Sequence, residues 1–275
     1  MNLHTRALET LKQTSRTFYI PIARLPKELQ DAVASAYLCM RAIDEIEDTP
    51  DLDNYTKARL LRSISLRMQE ITDADAYDRI STDLIAYSSV LPEVSLQIGE
   101  WAALTPETIA PRIWDATAAM ADRMAYWAEE NWTITTEADL DRYTFSVAGA
   151  VGLLLSDLWA WYDGTTTNRS QAIAFGRGLQ AVNIVRNQSE DSLRGVNFLP
   201  QGWTSKDVQE YARRQLQQAN LYIESLPKNS PALSFCQIPY ILAKGTLDAI
   251  AVGKAKLSRH DVLNLVEKFT NIKSA

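Results

Sequence analysis

The stretch Lys27–Asp48, KELQDAVASAYLCMRAIDEIED, decides the fold class. Leu29, Val33, Ala36, Tyr37, Met40 and Ile43 recur mostly at three- and four-residue steps, the stripe of a helix that buries one face. Pro26 suits the first turn of that helix, where a missing N–H costs nothing. Pro50 and the cluster Asp51-Leu52-Asp53-Asn54 then end it.

The same period continues outward in both directions. Leu60, Leu61, Ile64 and Met68 predict a helix over 55–71, and further helices are expected over 83–90, 111–131, 153–162, 171–191 and 206–226, with two more towards the C-terminus. Thr136-Glu137-Ala138-Asp139-Leu140 reads as a helix start, a threonine cap followed by acidic residues in the first turn. The turns are short, such as Asp163-Gly164 and Pro227-Lys228-Asn229-Ser230-Pro231. No segment alternates like a strand over a useful length, and neither an internal repeat nor a low-complexity linker is visible. One all-α domain spanning 1–275 is the economical reading.

Composition agrees. Hydrophobic residues make up 46% and charged residues 23%, ordinary for a soluble globular chain. Ten glycines and ten prolines are too few for a turn-rich sandwich or barrel. No stretch approaches the ~20 consecutive apolar residues that span a bilayer, and Met1-Asn2-Leu3-His4-Thr5-Arg6 has no signal-peptide core. Cys39 and Cys236 sit in apolar helical pattern, as buried thiols do, in keeping with a reducing cytoplasm. A net charge of −6 argues against nucleic acid as a partner. It still permits a phosphate-bearing ligand held through divalent cations. Only His4 and His260 are present and no Ser or Cys elbow accompanies them, which leaves nucleophilic hydrolysis poorly supported. No Gly-rich dinucleotide fingerprint follows a strand.

Two polar rows carry the chemistry. Asp44 and Asp48 lie four residues apart, about 6 Å along one helix face, so both carboxylates can share a hydrated Mg²⁺. Acidic groups at a helix C-terminus oppose the dipole unless a cation compensates. Arg41 can supply part of that charge or grip a phosphate. Taken alone, the pair reads first as a solvated acidic helix end with local Arg pairing. The second row is Gln180, Asn183, Asn187 and Asp191, at steps of three, four and four, flanked by Leu179, Val182, Ile184 and Val185. A polar row with apolar borders is more typical of a cavity wall than of a surface, although a solvated face with polar pairs is the alternative. Two such helices facing each other place Asp44 and Asp48 across from Asn187 and Asp191, where divalent ions turn a diphosphate into a leaving group. Between the rows in sequence, Tyr143-Thr144-Phe145-Ser146-Val147-Ala148-Gly149-Ala150-Val151-Gly152 offers aromatics for a cation and small residues that leave room for a chain. Close helix packing through Ala and Gly explains it equally well.

Together these segments resemble the squalene/phytoene synthase family. Ser15-Arg16-Thr17-Phe18 is similar to its early S-x-S-F element, with Thr17 in the second serine's place. The stretch from Arg24-Leu25-Pro26 to Asp48 is similar to its first aspartate-rich helix, and Tyr143 to Gly152 to its Tyr…Val-Ala-Gly…Val-Gly segment. Gln180 to Asp191, followed by Arg194-Gly195-Val196-Asn197-Phe198-Leu199-Pro200, resembles its second motif and the loop after it. Gln237-Ile238-Pro239-Tyr240 is similar to the C-terminal helix that closes the pocket. The resemblance runs in order along nearly the whole chain. It implies an isoprenoid-synthase-type helical bundle around a central cavity, Mg²⁺ as cofactor, and farnesyl or geranylgeranyl diphosphate as substrate. Carried over, it makes Asp44, Asp48 and Asp191 metal ligands with Glu190 close by. Arg41 and Arg186 would bind diphosphate, and Ser15, Phe18, Tyr143, Gln180 and Asn183 would line the site, with Tyr143 also counted among the catalytic groups.

The departure is Asn187, where the family's second motif begins with Asp; an amide oxygen can still ligate Mg²⁺, but one negative charge is missing. Head-to-head coupling requires two prenyl diphosphates and two ionisations, so a weakened motif should hurt it more than a single ionisation. The expectation is therefore a phosphatase-like conversion of farnesyl diphosphate to farnesol. Coupling to presqualene diphosphate, squalene, dehydrosqualene or phytoene is the close rival, and a prenyl-lipid carrier without turnover is the reading from another class. An oily product leaves room for transient membrane contact, and the oligomeric state is open.

Overall fold

The computed structural model describes residues 2–193, 195–254, 257, 261–262 and 264–265, and of Arg16 the backbone alone. Arg194 and His260 therefore lie outside the described residues. Every described element is helical, and no strand occurs among the described residues. The chain divides into two compact units, residues 1–133 with 157–164, and residues 134–156 with 165–275.

The first unit holds α1 (Leu3–Thr14), α2 (Arg16–Ala23), α3 (Lys27–Asp48), α4 (Asn54–Gln69), α5 (Asp75–Ile80), the short α6 (Glu93–Leu96), α7 (Ile98–Ala103) and α8 (Ala110–Glu129). At its centre is α3, packed by α1, α6, α7 and α8, with Leu29, Leu38, Ile43 and Ile46 fully buried. Buried hydroxyls tie it down at both ends of α7's approach: Ser35 Oγ donates to the Trp101 carbonyl at 2.7 Å, and Ser95 Oγ to the Ala42 carbonyl at 2.9 Å. The chain turns at Pro50 and re-enters a helix at Asp53, whose carboxylate accepts from the Thr56 N–H at 2.8 Å. Helix α4 then lies along α8.

Two sequence expectations shift here. Pro26 is the N-cap of α3, one position before the first turn, at φ −55° and ψ 145°. The helix expected over 83–90 is a 3₁₀ turn, Thr82–Tyr87, which buries only Leu84. Pro92 follows too soon for the segment to extend into a longer helix, and short helical pieces of this kind are commonly 3₁₀.

The second unit holds α9 (Glu137–Thr144), a π-helical turn (Phe145–Gly149), the first half of α10 (Ala150–Asp163), α11 (Arg169–Leu193), α12 (Ser205–Ser225) and α13 (Pro231–Ala251). The threonine cap expected at Thr136 is a full capping box with Asp139. Ser230 caps α13 by accepting from the Leu233 N–H at 3.1 Å. Helix α11 packs against α12, α13 and the π turn. The crossing with the π turn is a backbone contact: a Cβ on Gly176 would lie 2.1 Å from the Ala148 carbonyl oxygen, and one on Gly152 2.0 Å from that of Ala172. Only glycine fits there.

The continuous helical run Glu137–Asp163 has a mean hydropathy of 1.3 in its most apolar window, long and apolar enough by composition alone to cross a membrane. Of that window 44% is buried, and Gly152 seats the run directly on the α11 backbone. Both cysteines are buried and free, as expected, and burial pushes the Cys39 thiol up to about 12.

Candidate active site

The first acidic row ends α3. Asp44, Glu45, Glu47 and Asp48 are all half-buried, and the helix has no basic residue in its last turn. Each carboxylate at that pole costs about 0.3–1 kcal/mol unless compensated. Arg41, one turn earlier, pairs with Asp44 Oδ2 at 2.6 Å and with Glu45. Burial works against its charge, but Asp44 and Glu45 outweigh that and raise its pKa. Its Nε is buried with no hydrogen-bond partner among the described residues. The row thus carries its own counter-ion, held by one of the proposed metal ligands.

The early motif lies beside this row. Ser15 is buried at the α1–α2 junction, and its Oγ accepts from the Phe18 N–H at 3.0 Å, which starts α2. The Phe18 ring stands 5.7 Å from that of Tyr37. Burial raises the Tyr37 phenol, which is hydrogen-bonded with Ser15 and feels Arg41, Asp44 and Glu45. The first unit therefore brings Ser15, Phe18, Arg41 and Asp44 to one neighbourhood, with Tyr37 at its centre. Tyr37 is not among the site residues expected from the sequence, although its seven-residue spacing from Asp44 puts both on one face of α3.

In the second unit Tyr143 is buried near the end of α9 and stacks on Phe198, ring centroids 4.6 Å apart and 18° from parallel. Phe198 belongs to the loop after the second motif and was not foreseen as Tyr143's partner. The π turn begins two residues after Tyr143, with the Ala150 N–H reaching the Phe145 carbonyl. Single π turns inside helices are often found at functional sites. Across α9 from Tyr143, Asp141 accepts from the Tyr211 hydroxyl at 2.6 Å and pairs with Arg177 at 3.5 Å. Burial, then the bond to Asp141, raises the Tyr211 phenol well above its ordinary range.

The second row lies on α11. Asn183 Nδ2 reaches Gln180 Oε1 at 3.4 Å, and Arg186 Nε donates to Asn187 Oδ1 at 3.0 Å. Asp191 is buried, while Glu190 and Arg186 are exposed. The helix stops just beyond: Val196 N–H bonds to the Asp191 carbonyl at 3.0 Å and Gly195 N–H to that of Ser192 at 3.1 Å, with Gly195 at φ +76°. This pair of bonds is a Schellman ending, which needs the left-handed glycine.

Donor chemistry fits Mg²⁺. Both rows present only oxygen, the ligand type this ion takes, and it commonly uses one or two carboxylates and completes its shell with water and phosphate. Within neither unit do three or more described Asp, Glu, His or Cys side chains gather into a closed metal cage.

The described residues form helices alone, with oxygen-donor rows on two of them and a π-interrupted small-residue helix, as expected of an isoprenoid-synthase-type helical bundle. The squalene/phytoene synthase model matches residues 11–266 and so crosses both units. The chain belongs to that family. It is 29% identical to the squalene synthase of Eremothecium gossypii, over 94% of this chain and 64% of that one. Against the squalene synthase of Schizosaccharomyces pombe the identity is 28%, over 89% and 59%, and against that of Homo sapiens 27%, over 95% and 68%. The chain thus spans about three-fifths to two-thirds of the length of these relatives. Among solved structures, a ligand-bound TcSQS superposes with a TM-score of 0.78 at 21% identity, covering 96% of this chain and 85% of that one. A ligand-bound dehydrosqualene synthase gives 0.59 at 16%, covering 99% and 97%. These likenesses establish the fold.

Proposed function

We propose that this chain is a magnesium-dependent prenyl transferase of the head-to-head type, joining two molecules of a prenyl diphosphate, farnesyl diphosphate in the first instance, into one long apolar product. The observation that carries the reading is the survival of Asp44, Asp48 and Asp191 at the ends of two long helices, in a chain that its family's model covers almost end to end. In this reading Asp44, Asp48, Asn187, Glu190 and Asp191 hold Mg²⁺, which supplies Lewis-acid neutralisation of the diphosphate when bound. Arg41 and Arg186 grip the phosphates. Ser15, Phe18, Gln180 and Asn183 line the site. Tyr143, made rigid by its stack on Phe198, offers a π face to a developing allylic cation. Apolar walls keep water from that cation.

Water capture to give farnesol takes second place, reversing the order expected from the sequence. The relatives are squalene synthases, and they lend hydrolysis no support. Asn187 is the one observation in its favour, because the amide oxygen that would reach a metal is engaged by Arg186.

Incubating purified protein with Mg²⁺ and farnesyl diphosphate, with and without NADPH, separates the readings by the mass of the extracted products. A C30 product is expected. Farnesol as the sole product sinks coupling, and tight binding without turnover sinks both enzymatic readings in favour of a carrier.

A further inference from the structure

Helix α3 runs into its negative pole with four carboxylates in its last five residues, and Arg41 pairs with Asp44 and Glu45. The turn that carries Glu47 and Asp48 draws on a cation from another helix. Lys57, on α4, is only 8% exposed, and its Nζ donates to the Glu47 carbonyl oxygen at 2.6 Å. That carbonyl is among the last four of α3, which have no partner within the helix. The same ammonium stands 5.3 Å from the centroid of the buried Trp132 ring. A lysine placed merely to screen surface charge would keep its head in water.

The backbone is arranged for this contact. Asn131 and Trp132 follow one another with φ of 51° and 49°, a left-handed conformation that asparagine accepts readily but that is uncommon for a residue as bulky as tryptophan. Asn131 is held by Asn54 Nδ2 at 2.7 Å, at the start of α4, and the Trp132 N–H by the Trp127 carbonyl at 2.9 Å. The end of α8, the start of α4 and the end of α3 are therefore joined around one buried ammonium.

We propose that Lys57 is a positioning residue for the first acidic row: its buried charge holds the metal-free Glu45–Asp48 turn in place, and Trp132 holds the charge. The inference rests on the reading of that row as a metal site given above. Mg²⁺ bound by the row takes over part of the compensation, so the protein depends on Lys57 most when no metal is present.

The test is thermal unfolding of the full chain, first in chelator and then with Mg²⁺ and inorganic diphosphate. Lys57→Met lowers the metal-free midpoint by about 5 °C, while Lys57→Arg keeps most of it. Adding Asp48→Asn to Lys57→Met recovers at least half of the loss, and Mg²⁺ with diphosphate raises the Lys57→Met midpoint more than the wild-type one. Strict additivity of Lys57→Met and Asp48→Asn, or an equal loss with and without metal, overturns the proposal. Should Lys57→Met fail to fold, Trp132→Phe enters the same cycle with Asp48→Asn, and additivity there overturns it as well. A wild-type midpoint that ignores Mg²⁺ and diphosphate sinks the metal reading of the row, while the metal-free cycle still decides the role of Lys57.

Discussion

Both rows run to the C-terminal poles of long helices, yet the two ends are built differently. Helix α3 keeps four carboxylates where the dipole is least favourable and brings cations to that end, Arg41 from its own previous turn to Asp44 and Glu45, and Lys57 from α4 to the Glu47 carbonyl. Helix α11 carries two carboxylates in its last turn, Glu190 and Asp191, has an amide at 187 one turn before Asp191 with Arg186 pairing to it, and then closes on a glycine-based Schellman turn. A function that needs anionic ligands at helix ends can thus be met by compensation or by dilution. The first leaves a site charged and ion-paired before metal arrives. The second leaves it with fewer carboxylates and with its amide already hydrogen-bonded.

Removing one ligand from each end is the strongest way to break the comparison. Asp44→Ala and Asp191→Ala are each expected to cut product formation by about a thousandfold or more, since positioning and charge stabilisation dominate such catalysis. Their stabilities should diverge. Asp44→Ala relieves an acidic pole and leaves Arg41 paired with Glu45, so its thermal midpoint stays level or rises. Asp191 is buried at the end of α11, and its truncation should lower the midpoint by several degrees. Equal midpoints for the two variants would show that the ends are energetically alike. Retained turnover in either would move the chemistry elsewhere.

A smaller effect is expected from restoring the diluted charge. Asn187→Asp should lower the Mg²⁺ concentration for half-maximal activity by roughly three- to tenfold, because affinity for hard cations follows the number of charged oxygen ligands. Titrating Mg²⁺ at saturating substrate reads this directly. An unchanged midpoint would mean that position 187 is not a ligand and that Arg186 alone claims its side chain.

These features differ in how far they could be read in advance. The helices over Lys27–Asp48 and Arg169–Leu193 were legible because their apolar stripes are long and both rows fall on regular three- and four-residue steps. The π turn at Phe145–Gly149 was not, because a one-residue widening leaves no mark in a run of small and apolar side chains. Nor were the partners of the site: Tyr143 meets Phe198 across 55 positions, and Lys57 reaches the Glu47 carbonyl only because a tight turn at Pro50 returns the chain. The 3₁₀ turn at Thr82–Tyr87 shows the opposite error, an apolar pattern too short to make the helix it predicts. Periodicity reports what one helix does to itself. It is silent on which side chain from elsewhere completes its end.

The smallest prediction sharpens the comparison by turning to the favourable pole. Asp139 sits in the first turn of α9, where a carboxylate agrees with the dipole. It pairs with Arg142 and accepts from the Thr136 N–H at 2.8 Å and the Thr136 hydroxyl at 2.9 Å. The Arg142 contact and then the Thr136 bonds hold its pKa down to about 2, against about 4 in an unfolded chain. A depressed carboxylate stabilises the fold fully above the unfolded value and loses that contribution as pH falls towards the folded one. The unfolding midpoint in urea of the wild type should therefore exceed that of Asp139→Asn by a constant margin above pH 5, worth about 0.3–1 kcal/mol for a carboxylate in a first turn. The margin should shrink as pH drops from 4 to 2. A margin that persists at pH 2 would mean that the charge of Asp139 contributes nothing. The contrast between favourable and unfavourable helix poles would then have to rest on hydrogen bonds alone.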